Sequence, residues 1–265
     1  MAEGYREEMS DGTIGPEGRE YLELCWEQED RCELVSDEWL LKAGLKAPKC
    51  LETLGTVLSL LDRVAGCWWG CRGGDHIVER LVARAYNSAR AALRLVRGGF
   101  YDEALSCVRS IGELGNLLML FRYDKGSFQI WTAMDDKRRK NAFGAIKVRK
   151  KLETIGAPLA VDEDIYRQLS GVAVHATPDT NPQSFNPSAT PVIGSHFQHP
   201  GALTVLNELA FVITFVAAAS PDLVGLEDDK RTAMLVSARN LAESVGDVGI
   251  MNVRQLLEEL GGSPA

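Results

Sequence analysis

The chain has 265 residues, of which 45% are hydrophobic and 25% charged, and its net charge is −8. This length can bury a sizeable core in one large or two small domains, and the composition is typical of a soluble globular protein. The first residues contain no apolar stretch of the signal-peptide kind. We therefore expect a flexible tail over residues 1–16 and a cytoplasmic protein.

Helical periodicity dominates the sequence, and runs of alternating β-branched residues are absent. The pattern predicts an all-α fold, a bundle of roughly eight to ten helices. We expect an N-terminal helical segment over 17–72 and a main bundle over 73–265 that includes a proline-rich loop at 176–200. The predicted helices span residues 17–35, 37–44, 49–71, 76–97, 102–122, 127–155 (with a break near Asp135), 163–176, 201–219, 227–245 and 252–260.

Six cysteines are scattered at positions 25, 32, 50, 67, 71 and 107. Four of them fall among apolar residues inside predicted helices, which favours reduced, partly buried thiols. The spacing Cys67-x3-Cys71-x4-His76 could hold zinc, but it offers three ligands rather than four and matches no common zinc motif. We therefore predict no metal and no cofactor.

Residues 76–97 form the clearest amphipathic helix, with small and branched apolar residues along one side. Either the opposite side is an ordinary solvated face or it is a ridge that contacts phosphates. Five arginines lie on that side: Arg80, Arg84, Arg90, Arg94 and Arg97.

Residues 102–122 are apolar on nearly all sides of a helical wheel, and only Arg109, Glu113 and Asn116 form a polar stripe. Arg109 and Glu113 are four residues apart, so their side chains can meet. Because a lone buried charge is costly, the stripe is either a structural ion pair inside the bundle or the lining of a cleft.

Residues 137–151 carry eight basic side chains and no acidic one, which leaves a net charge of −16 on the rest of the chain. A basic island on an acidic protein indicates either a solvated helix face or a surface that holds phosphates. The eight residues are Lys137, Arg138, Arg139, Lys140, Lys147, Arg149, Lys150 and Lys151.

His175 lies near the end of the predicted helix 163–176. On a helical wheel it falls off the apolar face, above Gly171 and three residues before Pro178. A histidine placed there could act as a general acid or base, bind a metal or cap the helix.

Five prolines in the 25 residues of 176–200 preclude regular structure. Three of the four histidines of the chain, His175, His196 and His199, fall between positions 175 and 199. Together with Asp179 they could form a metal site, although their spacing fits no recognised metal motif.

Residues 201–219 approach the length of a membrane span, but Asn207 and Glu208 lie near its middle. An acid at the centre of a lipid-exposed helix is costly. We therefore expect a buried central helix and no membrane. Glu208 then needs a basic partner, for which Arg109 is one candidate.

Three motifs follow one another along the chain: Arg109-x3-Glu113 in ALSCVRSIGELGNLL, the basic stretch FGAIKVRKKL, and Tyr-x2-Leu-Ser-x4-His in YRQLSGVAVHATPD. This order, followed by an apolar helix, resembles the HEPN-like helical proteins over about residues 76–219. It looks closest to uncharacterised bacterial members of that group, some of them linked to abortive infection and phage defence.

The resemblance implies an all-α bundle that is often a homodimer. In ribonuclease members an Arg and a His from each protomer line a cleft at the dimer interface, with the Arg four to six residues before the His. Here seven residues separate Arg167 from His175, which places the two about 80° apart on a helix. Arg109 from the neighbouring helix could replace Arg167 in such a cleft.

The first candidate function is a metal-independent ribonuclease or an RNA-binding component of a bacterial defence or stress system. In a ribonuclease, His175 would be the acid and base. Arg109, paired with Glu113, or Arg167 would stabilise the charged transition state.

In this function the basic residues of 137–151, together with Asn116 and Ser170, would bind RNA. The second candidate is a non-catalytic helical binding or scaffold protein that recognises a nucleotide, a peptide or a partner protein of a defence system. The third is a metal-dependent hydrolase that uses His175, His196 and His199.

Overall fold

A computed structural model describes residues 18–42, 46–69, 75–176, 178, 180–245 and 256–258. Over these residues the chain forms ten helices of eight residues or more, a short helical stretch at 256–258 and no strand, which confirms the predicted all-α bundle. The predicted tail at 1–16 and most of the predicted helix 252–260 lie outside the described residues. The helices are α1 (Arg19–Leu40), α2 (Lys46–Ala65), α3 (Ile77–Arg97), α4 (Tyr101–Tyr123), α5 (Lys125–Ala133), α6 (Asp136–Phe143), α7 (Ala145–Thr154), α8 (Glu163–Ala173), α9 (His199–Val224) and α10 (Asp228–Val245).

Helix α9 is the centre of the bundle. Its residues are buried without interruption from Leu209 to Pro221. A helix with no polar face must be covered on all sides, and α9 is covered by α2, α3, α4 and α10. The packing of these four helices around α9 therefore forms the centre of the described bundle.

Helices α4 and α9 are each long and apolar enough to cross a membrane, by length and composition alone. In the bundle, 61% of the most apolar stretch of α4 and 78% of that of α9 are buried inside the fold. Both helices therefore form its core.

Helix α4 links this core to the helices that carry most of the candidate site residues. It packs against α3 and α9 and also contacts α5, α7 and α8. A Cβ on Gly112 would overlap Val161 Cγ2, and one on Gly115 would lie 3.2 Å from the Cβ of Ala160. Because these two glycines lack side chains, the buried segment 157–161 can pack closely against α4. This segment leads directly into α8.

The predicted helix 127–155 is three helices in the structure. Its predicted break near Asp135 is confirmed, because α5 ends at Ala133 and the Asp135 carboxylate caps α6 by accepting a 2.9 Å hydrogen bond from the N–H of Arg138. A second break at Gly144, where the backbone is extended, separates α6 from α7. The sequence does not predict this second break, because a single glycine is tolerated inside a helix.

Helices α1 and α2 join the same bundle. Arg97 of α3 donates two 2.6 Å hydrogen bonds to the Asp37 carboxylate of α1, and Arg94 lies 2.8 Å from Glu33. The hydrogen bond from Arg97 lowers the pKa of Asp37. Two of the five arginines of α3 thus hold α1 in place. Helix α2 adds buried residues to the main hydrophobic cluster, among them Leu54, Val57 and Leu61.

The proline-rich loop is anchored to the start of α4 by Gln183. The Gln183 N–H donates to Asp102 at 2.8 Å, its side-chain oxygen accepts from the N–H of Tyr101 at 2.9 Å, and its side-chain nitrogen donates to Glu103 at 2.6 Å. Burial raises the pKa of Asp102, which the hydrogen bond from Gln183 opposes. These contacts give an irregular segment a defined course without a regular helix or strand.

Glu208 is a half-buried acid on the central helix, and its Oε2 has no hydrogen-bond partner among the described residues. Arg109, the partner that the sequence suggested, pairs with Glu113 instead. Burial raises the pKa of Glu208 above its ordinary value of 4.5. The folded chain therefore holds this proton more tightly than the unfolded chain, and the ionised form costs stability.

We expect Glu208→Gln to stabilise the protein by about 1 to 3 kcal/mol at pH 8, because burial disfavours the ionised carboxylate and its Oε2 has no hydrogen-bond partner among the described residues. The difference should vanish as the pH falls through the raised pKa towards 4, since the wild-type acid is then protonated. Urea unfolding at several pH values measures this difference. Glu153→Gln, at an exposed position of α7, is the matched control, and an equal effect in both variants at pH 8 would contradict the prediction.

Candidate functional site

His175 lies just beyond the end of α8, which ends at Ala173 rather than at the predicted residue 176. The N–H groups of Val174 and His175 donate to the carbonyl of Ser170 at 3.1 and 2.9 Å, and the Ser106 hydroxyl donates to the carbonyl of Ala173 at 2.7 Å. These bonds close the helix. The imidazole is exposed and makes no hydrogen bond or ion pair with the described residues.

Arg167 points along the outside of α8 towards its N-terminus. Its side chain is 71% exposed, and its guanidinium lies 3.7 Å from Glu163 and 3.6 Å from Asp164. His175 lies past the opposite end of the same helix. The structure therefore does not bring Arg167 and His175 together within one chain.

Arg109 is part of a half-buried cluster between α4, α7 and α8. Its guanidinium lies 2.9 Å from Glu113 and donates a 2.6 Å hydrogen bond to the Tyr166 hydroxyl. The central carbon of the same guanidinium lies 4.6 Å from the centre of the Tyr166 ring. The pairing of Arg109 with Glu113 that the spacing predicted is present. Within this cluster Arg109 has two partners: its charge is paired with Glu113, and its guanidinium stacks on the Tyr166 ring.

Arg149 reaches the same tyrosine from α7. Its side chain is only 3% exposed, lies 4.4 Å from the centre of the Tyr166 ring and donates a 2.6 Å hydrogen bond to Glu163. This hydrogen bond is the largest cause of the lowered pKa of Glu163. Because a buried guanidinium is stable only when it is paired, these contacts tie α7 to α8.

Asn116 and Ser170 are buried. Asn116 donates to the carbonyl of Val161 at 2.7 Å and accepts from the N–H of Ala160 at 2.7 Å. Its amide therefore satisfies the backbone of the segment that leads into α8. The Ser170 hydroxyl oxygen is buried and has no hydrogen-bond partner among the described residues.

Three of the eight basic residues of 137–151 are engaged within the fold. Arg139 donates to the carbonyl of Trp131 at 3.1 Å and holds the turn between α5 and α6. Lys151 lies 3.8 Å from the centre of the Phe143 ring. Arg149 is the third, through the contacts given above. These three side chains are therefore structural.

The other five basic residues are exposed to solvent. Arg138 lies 3.4 Å from Asp135. The remaining four, termed the four exposed lysines, have no ion pair with any described residue. They are Lys137, Lys140, Lys147 and Lys150. Each helix presents two of them three residues apart, so the members of each pair are neighbours on the helix surface.

The histidines of the loop do not come together on a metal in the described part of the chain. His196 lies 3.5 Å from the Gln28 side chain, and His199 packs edge-on against Trp39 at the start of α9. Asp179, the acid predicted to accompany them, lies outside the described residues. A different group, Cys67, His76 and Glu79, brings its donor atoms within 4.8 Å of one another.

Two features of these sites were not predicted from the sequence. Tyr166 is part of the Tyr-x2-Leu-Ser-x4-His motif, but only packing shows that arginines of two other helices lie over its ring. Glu79 follows His76 by three residues, but only the packing of α2 against α3 brings it close to Cys67.

A scan against family models, a search of curated proteins and a search of solved structures find no match to this chain.

We expect Tyr166→Leu to destabilise the protein by about 2 to 4 kcal/mol, because the half-buried Arg109 and the buried Arg149 lose the ring on which both lie. Tyr166→Phe keeps the ring and removes only the hydroxyl that accepts from Arg109, so the loss should be about 1 kcal/mol. Urea unfolding measures both. If the leucine variant is as stable as the wild type, the cluster does not hold α7 and α8.

Proposed function

We propose that this protein binds RNA through the four exposed lysines of α6 and α7, as a HEPN-like RNA-binding component of a bacterial defence or stress system. The observation that carries the proposal is their lack of ion pairs with described carboxylates. On a chain with a net charge of −8, these four cations are concentrated on two consecutive short helices, where a polyanion can contact them. Phosphate contacts of this kind supply most of the sequence-independent affinity for nucleic acid.

The fold supports this use of α6 and α7. Arg149 is buried against Tyr166 and fixes α7 from its inner side, while Lys147 and Lys150 of the same helix face solvent. Arg139 fixes the start of α6 by donating a hydrogen bond to the carbonyl of Trp131 in α5. A charged surface on fixed helices loses little conformational freedom when it binds.

The geometry favours binding over cleavage. Attack by the RNA 2′-hydroxyl needs a proton acceptor beside the phosphate and a cation aimed at the developing charge. In one chain the imidazole of His175 contacts neither Arg109 nor Arg167, and both arginines are paired with acids. The phosphate-binding and acid–base groups of a nuclease are therefore not assembled around His175.

The test is binding of a fluorescently labelled single-stranded RNA, measured by anisotropy over a range of salt concentrations. We expect that changing the four exposed lysines to glutamine weakens binding at least tenfold. The slope of log affinity against log salt should become shallower by about 3, since each phosphate contact on a single strand contributes about 0.7.

A variant with the same change in charge elsewhere is the control: Lys42, Lys49, Arg84 and Arg90 changed to glutamine, all at exposed positions. We expect this control to bind RNA nearly as the wild type does. An equal loss in both variants would mean that net charge alone governs binding, and the assignment to α6 and α7 would be wrong.

Incubation of the RNA with wild type and with His175→Ala separates binding from cleavage. We expect RNA of unchanged length with both proteins. Cleavage by the wild type that is lost in His175→Ala would overturn the binding-only function and establish the ribonuclease instead.

A further inference from the structure

Cys67, His76 and Glu79 lie where the end of α2 meets the start of α3. The Cys67 sulfur is 3.6 Å from His76 Nδ1, and the same Nδ1 is 3.7 Å from Glu79 Oε1. All three donor atoms lie within 4.8 Å of one another. Thiolate, imidazole and carboxylate are the three kinds of ligand that zinc takes in proteins.

The 3.6 Å between the Cys67 sulfur and His76 Nδ1 fits two ligands of one metal ion, and the 3.7 Å from Nδ1 to Glu79 Oε1 is a few tenths of an ångström longer than the ideal separation. Around a tetrahedral zinc ion, a thiolate sulfur and an imidazole nitrogen lie about 3.6 Å apart, and a nitrogen and an oxygen about 3.3 Å apart. We propose that Cys67, His76 and Glu79 form a zinc site, which goes beyond the RNA-binding function and does not depend on it.

The backbone holds these ligands in place. The N–H of Cys67 donates to the carbonyl of Val64 at 3.2 Å, and Arg80 donates to the carbonyl of His76 at 3.2 Å. Both Cys67 and His76 have left-handed backbone conformations, with φ of 55° and 49°. Side-chain-bearing residues keep such conformations only where the surroundings impose them, which is common at ligand sites.

A cleft lies beside the proposed zinc site. His76 and Glu79 line this cleft of about 350 Å³, whose other walls include Phe128 and Val224. Cys71, the second cysteine of the spacing noted in the sequence, lies outside the described residues, so the three ligands named are those of the described part of the chain. A zinc ion that kept a position open to this cleft could bind a solvent molecule or a small ligand there and polarise it.

Cobalt binding tests the site, because Co²⁺ replaces Zn²⁺ and shows its ligands by absorption. The full-length protein is stripped with a chelator and titrated with Co²⁺ in the absence of RNA. We expect one equivalent to bind, with a thiolate-to-cobalt charge-transfer band and the strong visible absorption of four-coordinate cobalt. Added Zn²⁺ should abolish both signals.

We expect Cys67→Ser to lose the charge-transfer band and to bind Co²⁺ at least about tenfold more weakly. Cys25→Ser, a thiol of α1 outside the group, should bind as the wild type does. Circular dichroism verifies that each variant is folded.

If Cys67→Ser does not fold, Glu79→Gln is the deciding variant, because glutamine keeps the size of the side chain. We expect this variant also to bind Co²⁺ at least about tenfold more weakly than the wild type. Failure of the wild type to bind Co²⁺, or unchanged binding in the folded variants, would overturn the proposal. RNA binding is measured separately, so either result leaves the test of the four exposed lysines intact.

Discussion

The burial of α9 on every side is the constraint on which the rest of this structure depends. Its run of buried residues from Leu209 to Pro221 leaves no face for water, so α2, α3, α4 and α10 must enclose it. Helix α4 in turn directs its polar stripe at α8 and the segment that leads into it, through Arg109 and Asn116. The acid within α9, Glu208, lacks a hydrogen-bond partner for its Oε2 among the described residues, so its ionised form costs stability. The proposed RNA-binding and zinc sites lie on outer helices and at helix ends.

Burial also divides the basic residues of 137–151 between two tasks. Arg149 is buried beside Tyr166 and Glu163 and holds α7 against α8, whereas Lys147 and Lys150 on the same helix are exposed. A planar guanidinium can stack on a ring and donate to a carboxylate at once, which suits a buried position. A lysine ammonium is strongly hydrated and is suited to an exposed phosphate contact. The stable anchor and the proposed RNA-binding surface are therefore two faces of one short helix.

The sequence predicts the features that depend on local pattern. The helical class, the pairing of Arg109 with Glu113 and the break near Asp135 follow from periodicity, spacing and capping, and the structure contains all three. Features that depend on distant residues were missed. The helical wheel put His175 on a helix that in fact ends at Ala173, where Ser106 of α4 caps it. The contacts of Tyr166 with two arginines and of Glu79 with Cys67 require packing between separate helices, which no spacing within one helix reveals.

Hydrogen–deuterium exchange with and without single-stranded RNA tests the central claim most directly, because it locates the bound surface without any mutation. Bound RNA should slow exchange in peptides that cover α6 and α7, Asp136–Phe143 and Ala145–Thr154, and should leave the peptides of α10 unchanged. Protection confined to other helices, such as the arginine face of α3, would contradict the claim. No protection anywhere at saturating RNA would exclude RNA as the ligand.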